Sequence, residues 1–352
     1  MIKTFLQKAL KEQLPFVLYR KPNETLVNGW FQKTNTLDVS SVLNKSCFVF
    51  APFVGEDKVV FYPENCDLFQ EDFSTDVSFS SQEIKLESKT VNKDFHIQLV
   101  QKGIDTINEG VIQKIVLSRK EEVTIDAQLY ETYFNRFLKK YPTAFVYWWF
   151  HPKVGMWMGA TPEQLLKINN NKVQTVALAG TMVADNNDLN TATWGLKEIE
   201  EQNIVTLFIV NGLSGLCKEI HQSKPYTFKA GTLLHIKTDI EAELLDESSK
   251  YKVVDALHPT PALCGFPKDE ARKFIVENEG YAREYYGGYL GEWQIDNLDY
   301  ANKTDLFVNL RCMKISNNKA FLFLGGGVNK DSDPESEYYE TVNKSKTVKS
   351  IL

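Results

Sequence analysis

Apolar residues at Ile97, Val100, Ile104 and Ile107 recur at helical spacing, which predicts a helix over residues 93–110 that stops near Gly110. The pattern then changes. Residues 111–118 are apolar at Ile112, Ile115, Val116 and Leu117 and read as a strand buried on both faces, with Lys114 in its middle. Comparable runs predict strands at 47–50, 59–62, 144–150, 173–178, 233–236, 305–314 and 320–324. Helices are predicted at 163–167, 196–213 and 269–277. An amphipathic helix opens the chain over residues 1–14. A last helix starts at Asp333, a good N-cap, with Pro334 at the first helical position, and runs towards Leu352.

Strands and helices alternate irregularly, and residues 315–319 look like a hairpin turn. The pattern therefore predicts a mixed α/β or α+β fold in preference to a doubly wound parallel sheet. A polar stretch around residues 78–88 is the best internal boundary, which divides the chain into a subregion 1–90 and a catalytic-sized domain 91–352. No internal repeat or low-complexity segment interrupts either part.

Composition narrows the class. With 43% hydrophobic and 12% aromatic residues in 352, the chain can bury a large core. A net charge of -6 argues against a general nucleic-acid or anionic-membrane binder, so any anionic ligand must be held by a local site. The five cysteines are scattered and include no CxxC pair, so neither a disulfide framework nor a zinc site is expected; a cytoplasmic location fits. The N-terminus lacks the unbroken apolar core of a signal peptide. The most apolar stretch, 144–160, is broken by His151, Pro152 and Lys153, so no membrane span is predicted.

Several residues carry possible chemistry. Lys114 either reaches water with its head or, if desolvated, becomes a usable base. Glu163 in Thr161-Pro162-Glu163 is a first-turn helix glutamate on this reading, and a general acid only if burial raises its pKa. Glu198 with Glu201, and Glu337 with Glu340, are carboxylate pairs at i, i+3 spacing, and Lys344 follows Glu340 by one turn. Each pair alone is more simply read as a solvated helix face. Brought together, the two would offer Mg²⁺ the oxygen ligands it prefers. Gly180-Thr181 ends a strand where backbone can approach a ligand. Arg311 lies in an apolar strand and can fork onto a carboxylate, and the triplet Gly325-Gly326-Gly327 can present backbone N–H groups to an anion.

From Phe95 to Thr347 these segments fall in an order that resembles the chorismate-utilising enzymes, the family of anthranilate synthase large subunits, aminodeoxychorismate synthase, salicylate synthase and isochorismate synthase. The matching runs are Lys114-Ile115-Val116-Leu117-Ser118-Arg119, Gly159-Ala160-Thr161-Pro162-Glu163, Leu178-Ala179-Gly180-Thr181 and Lys197-Glu198-Ile199-Glu200-Glu201. They continue with His258-Pro259-Thr260-Pro261-Ala262, Tyr286-Gly287-Gly288, Arg311 and the closing Pro334-Glu335 to Glu340-Thr341 segment. The resemblance implies two packed β-sheets flanked by helices and a Mg²⁺-dependent reaction on chorismate. It implies Lys114 as base, Glu163 as acid, Glu201 and Glu340 as direct Mg²⁺ ligands, and Glu198 and Glu337 beside them or acting through water. Arg311, Tyr286, Lys344, Gly325 and Gly180-Thr181 would hold the substrate carboxylates, and His235 matches an active-site histidine.

Lys114, Glu163 and Ala262 together match the isochorismate-forming members, in which water adds at C2 of the ring and the C4 hydroxyl leaves. A salicylate synthase and a non-catalytic binder of an acidic metabolite stay open as alternatives. The product's destination, menaquinone, a catechol siderophore or salicylate, also stays open, and a monomer is expected. The sequence departs from the family pattern at Gln202, at Tyr338 and across Met182-Val183-Ala184-Asp185.

Overall fold

The computed structural model describes residues 1–73, 88–89, 93–183, 192–230, 233–296 and 303–352; residues 78–87 of the expected boundary, and Ala184-Asp185, lie outside these. Among the described residues the strands form two sheets of ten strands each. The first runs in the order Gly265–Phe266, Lys114–Thr124, Lys319–Val328, Cys312–Ser316, Gly155–Thr161, Phe145–His151, Phe16–Arg20, Leu26–Gln32, Cys66–Asp72, with Ser88–Lys89 beside Lys114–Thr124. The second runs Cys217–Gln222, Leu233–Leu244, Lys172–Val183, Gln164–Asn169, Lys303–Val308, Tyr289–Ile295, Cys47–Ala51, Lys58–Phe61, Val39–Ser40, with Tyr226–Ala230 beside Leu233–Leu244. Neighbouring strands pair antiparallel throughout, which excludes a doubly wound parallel sheet and bears out the mixed fold with two packed sheets. Residues of the first ninety supply outer strands to both sheets.

The strand Phe145–His151 shows how the layers form. Because side chains alternate across a strand, Phe145, Tyr147 and Trp149 enter a core between the sheets, where they meet Phe48, Phe50, Phe61 and Phe307 of the second sheet. Val146, Trp148 and Phe150 turn the other way, into a core closed by the helices Ile2–Glu12 and Tyr130–Lys140. The outer face of the second sheet is covered by Leu196–Leu213 and Ser249–Leu257, through Val205, Ile209, Leu213, Val253 and Val254. No helix of the described residues is long and apolar enough to cross a membrane.

Three expectations are corrected. Residues 163–167 are not helical: Gln164–Asn169 is a strand paired with Lys303–Val308. Five residues are too few to nucleate a stable helix, whereas as a strand Leu165, Leu166 and Ile168 are fully buried. The expected strand 305–314 is two strands in different sheets, Lys303–Val308 and Cys312–Ser316, with Asn309, Leu310 and Arg311 crossing between them. The expected strand 320–324 extends to Val328, so the glycine triplet is part of a strand and pairs with Ser118, Leu117 and Val116. The helices Leu196–Leu213 and Pro334–Lys349 start where the sequence places them. The Asp333 carboxylate accepts from the Ser336 N–H at 2.8 Å, as an N-cap should.

The strand that carries Lys114 is pinned by Gly265, which sits at φ +139 against it; a Cβ there would collide with the Lys114 carbonyl oxygen and stand 2.8 Å from Ala271 Cβ. Gly265→Ala should therefore destabilise the fold by more than about 2 kcal/mol, since strain of this kind costs ~1–3 kcal/mol and the collision adds to it. Urea denaturation would measure it; a midpoint equal to wild type would contradict this account.

Candidate active site

Two segments cross from one sheet to the other side by side. In the first, Pro162-Glu163 links Gly155–Thr161 to Gln164–Asn169; in the second, Asn309-Leu310-Arg311 links Lys303–Val308 to Cys312–Ser316. They bond to each other: Ala160 N–H to the Arg311 carbonyl at 3.2 Å, Val308 N–H to the Glu163 carbonyl at 2.9 Å, and Thr161 Oγ1 to the Val308 carbonyl at 2.7 Å. Thr161 is thus not a helix cap. Arg311 adopts a left-handed φ of 52°, an uncommon conformation for a non-glycine residue and one held here by the crossing.

A cleft of about 290 Å³ opens at this seam, near the lower end of the ~300–1,000 Å³ typical of small-molecule sites. Its walls include Lys114, Glu163, Gly180, Glu198, Glu201, His235, Ala262, Tyr286, Arg311, Gly325, Glu337, Glu340 and Lys344. These are the residues singled out from the sequence, drawn from both sheets and from two helices. Thr181 pairs through its backbone with His235, and its side chain is outside the described residues.

Local reasons place each group. Gly180, at φ +71, lets the helix Leu196–Leu213 pass close: a Cβ would lie 3.1 Å from Glu198 Cβ. A Cβ on Gly325 would be 2.5 Å from the Tyr286 hydroxyl, and one on Gly327 3.4 Å from Lys114 Cε, so the triplet keeps the strand low where side chains cross it. His235 donates from Nδ1 to the Gly180 carbonyl at 3.1 Å, which sets its tautomer; burial lowers its pKa, so it is neutral near pH 7. Lys344 donates to the Gly325 carbonyl at 2.9 Å.

Glu163 makes no ion pair within 4.0 Å among the described residues, and protein surrounds its carboxyl although the residue borders the cleft. Burial pushes its pKa up to about 7, against the opposing pull of Lys114 and Arg311. That is where a general acid works at neutral pH. The strand expected over 111–118 runs instead over Lys114–Thr124, so Lys114 opens it; the residue is 5% exposed and its Nζ is held 2.5 Å from Glu201 Oε1. Glu340 Oε1 is likewise 2.5 Å from Lys344 Nζ, and Glu337 Oε1 accepts from Ser332 Oγ at 2.7 Å.

Among the described residues no three His, Cys, Asp or Glu side chains stand close enough together to hold an ion as they are placed. The donor set still fits Mg²⁺ in kind, since Glu198, Glu201, Glu337 and Glu340 bring only hard carboxylate oxygens to one cleft. Gly326 leaves them room: a Cβ there would lie 3.2 Å from Glu337 Oε2 and 3.9 Å from Glu340 Oε1. For an ion to bind, Glu201 and Glu340 would have to turn from their lysines.

One supporting group escaped the sequence reading. Arg283 is buried and donates to the Leu263 carbonyl at 2.6 Å, to the Val116 carbonyl at 2.7 Å and to both oxygens of Glu279, whose Oε1 also accepts from Ser118 N–H and Oγ. It ties the Ala262-Leu263 wall to the Lys114 strand. An arginine among tyrosines in Tyr281-Ala282-Arg283-Glu284-Tyr285-Tyr286 was the available signal.

Fold and cleft together bring a lysine, an arginine, a glutamate of raised pKa and carboxylates from two helices to one pocket of small-molecule size. The family model described as chorismate binding enzyme matches residues 57–352, and the chain belongs to that family. Isochorismate synthase MenF of Bacillus subtilis (strain 168) is 29% identical over 285 residues, 79% of this chain and 59% of that relative. Isochorismate synthase EntC of Escherichia coli (strain K12) is 30% identical over 266 residues, 72% of this chain and 66% of that relative. The chain thus spans less than two thirds of either relative's length. Among solved structures, a putative 2,3-dihydroxybenzoate-specific isochorismate synthase, DhbC from Bacillus anthracis, superposes with a TM-score of 0.80 at 22% identity, covering 100% of this chain and 99% of that one. Anthranilate synthase component I from Streptococcus pneumoniae TIGR4 gives 0.69 at 17% identity, covering 95% and 92%. At these identities the likeness is one of fold.

The raised pKa of Glu163 has a consequence for stability. Its folded value of about 7 lies above the ordinary 4.5, so its contribution is fully present below pH about 4.5 and is lost as pH rises through 7. Glu163→Gln removes that loss. Relative to wild type the variant should be more stable at pH 8 than at pH 5, by at most about 3 kcal/mol for a shift of this size. Thermal unfolding at the two pH values checks it, and a stability difference independent of pH would contradict it.

Proposed function

We propose that this protein is an isochorismate synthase, an isomerase that converts chorismate to isochorismate with Mg²⁺. The observation that carries the reading is that Lys114 and Glu163 line one cleft, with the acid's pKa raised to about 7 by burial. Family membership and the isochorismate synthases among its relatives support it.

In this reading Lys114 takes a proton from water as the oxygen bonds to C2. The ring double bonds shift, the C4–O bond breaks, and Glu163 gives its proton to the departing oxygen, which leaves as water. Lys114 can accept a proton only in its amine form, so its pairing with Glu201 must loosen before the step. Arg311 and the Tyr286 hydroxyl supply donors for a substrate carboxylate, and Lys344 a cation beside them. Glu201 and Glu340, with Glu198 and Glu337 near, would hold Mg²⁺, which would supply a template and Lewis acid for the ring carboxylate. Ala262, which the resemblance matches to the isochorismate-forming members, lines the cleft wall; a salicylate-forming reaction would also eliminate the enolpyruvyl side chain.

Lys114→Ala and Glu163→Gln should each lower kcat on chorismate by ~10²–10⁴-fold, the usual contribution of a positioned acid or base. EDTA should abolish turnover and added Mg²⁺ restore it. Turnover of either variant within tenfold of wild type, or full activity in EDTA, would overturn the assigned roles.

A further inference from the structure

A second cavity, of about 300 Å³, adjoins the first, and Lys114, Glu201 and Asn329 stand in the walls of both. It lies where two loops meet, the one before the Lys114–Thr124 strand and the one after the Lys319–Val328 strand. The pairing of Ile115 with Val328 brings these to one end of the sheet. Gln113, Lys330 and Asp331 on its rim are exposed, whereas Ile107, Ile112 and Ile204 give it an apolar side.

We propose that this second cavity is the route by which the reacting water reaches Lys114, an inference that rests on the isochorismate-forming reading above. The acid and the base must act on different ring carbons, and a ring bound in the first cleft covers Lys114 from that side. Water arriving through the second cavity meets Nζ at the partition, next to the Glu201 carboxylate 2.5 Å away. Much of the cavity wall is polar, so water inside it finds hydrogen-bond partners in Gln113, Glu200, Asn329, Lys330 and Asp331 besides the Lys114–Glu201 pair. These groups lead from the exposed rim at Gln113, Glu200, Lys330 and Asp331 inward to the Lys114–Glu201 pair, while Ile107, Ile112 and Ile204 close the other side. There the C2–O bond forms, Lys114 keeps the proton, and the C4 oxygen leaves from the Glu163 side as water.

Two variants that plug the cavity from different elements test this: Ile204→Trp on the helix Leu196–Leu213 and Gln113→Trp on the loop before the Lys114 strand. Both leave the first cleft's walls untouched. In Mg²⁺, kcat on chorismate should fall at least about tenfold, part of the ~10²–10⁴ that a base contributes. The chorismate Kd by calorimetry and the thermal unfolding midpoint should stay at wild-type values. A folded plug variant that turns over at the wild-type rate overturns the inference. So does a loss of kcat matched by loss of chorismate binding, which would place the effect in the first cleft. A wild-type protein that forms no isochorismate would instead sink the functional reading itself, a result distinguishable from either.

Discussion

The site depends on one constraint: two chain segments change sheets at the same place and are hydrogen-bonded to each other as they do so. The bonds from Ala160 to Arg311 and from Val308 to Glu163 mean that neither crossing can move alone. The crossing at Arg311 also takes the Cys312–Ser316 strand away from its neighbour, whose pairing with it reaches only as far as Leu322 opposite Met313. Beyond that point Lys319–Val328 is paired on one side alone, and the cleft opens along the glycine triplet. A buried carboxyl, a half-buried arginine and an open strand edge therefore follow from a single topological event. The aromatic core between the sheets keeps that event rigid, since Phe145 stacks on Phe307 beside the seam at 4.3 Å.

Charge is distributed unequally around this seam. Most buried ions are compensated by a close partner: Lys114 by Glu201, Arg283 by Glu279, Lys21 by Glu292. Glu163 has no close ion-pair partner among the described residues; Lys114, Arg311 and Thr260 pull its pKa down, and burial outweighs them. An uncompensated carboxyl in a cleft is costly for stability and is what a general acid requires. The paired lysines have a second effect. Pairing of Glu201 and Glu340 with lysines offsets part of the repulsion among the four carboxylates that share the cleft.

Much of this was legible in the sequence because it is local. Apolar spacing placed the helix Leu196–Leu213 and the strand carrying Lys114, and Asp333-Pro334 marked the start of the last helix. The order of motifs named the site residues, which line one cleft. What was not legible is non-local. Glu163 reads as a first-turn glutamate after Thr161-Pro162, and only pairing with Lys303–Val308 makes the following residues a strand. The run from Asp305 to Lys314 is continuous in its apolar pattern, and nothing in it marks the change of sheet at Arg311. The partnerships of Lys114 with Glu201 and of Arg283 with Val116 and Leu263 join residues far apart in the chain, so spacing carries no trace of them.

The central claim is that this cleft adds water to chorismate at C2 and expels the C4 hydroxyl, and product identity tests it most directly. Purified protein would be incubated with chorismate and Mg²⁺, and the products separated by chromatography alongside an assay for pyruvate. The account predicts isochorismate without pyruvate. Salicylate with an equal amount of pyruvate, or chorismate recovered unchanged, would contradict it.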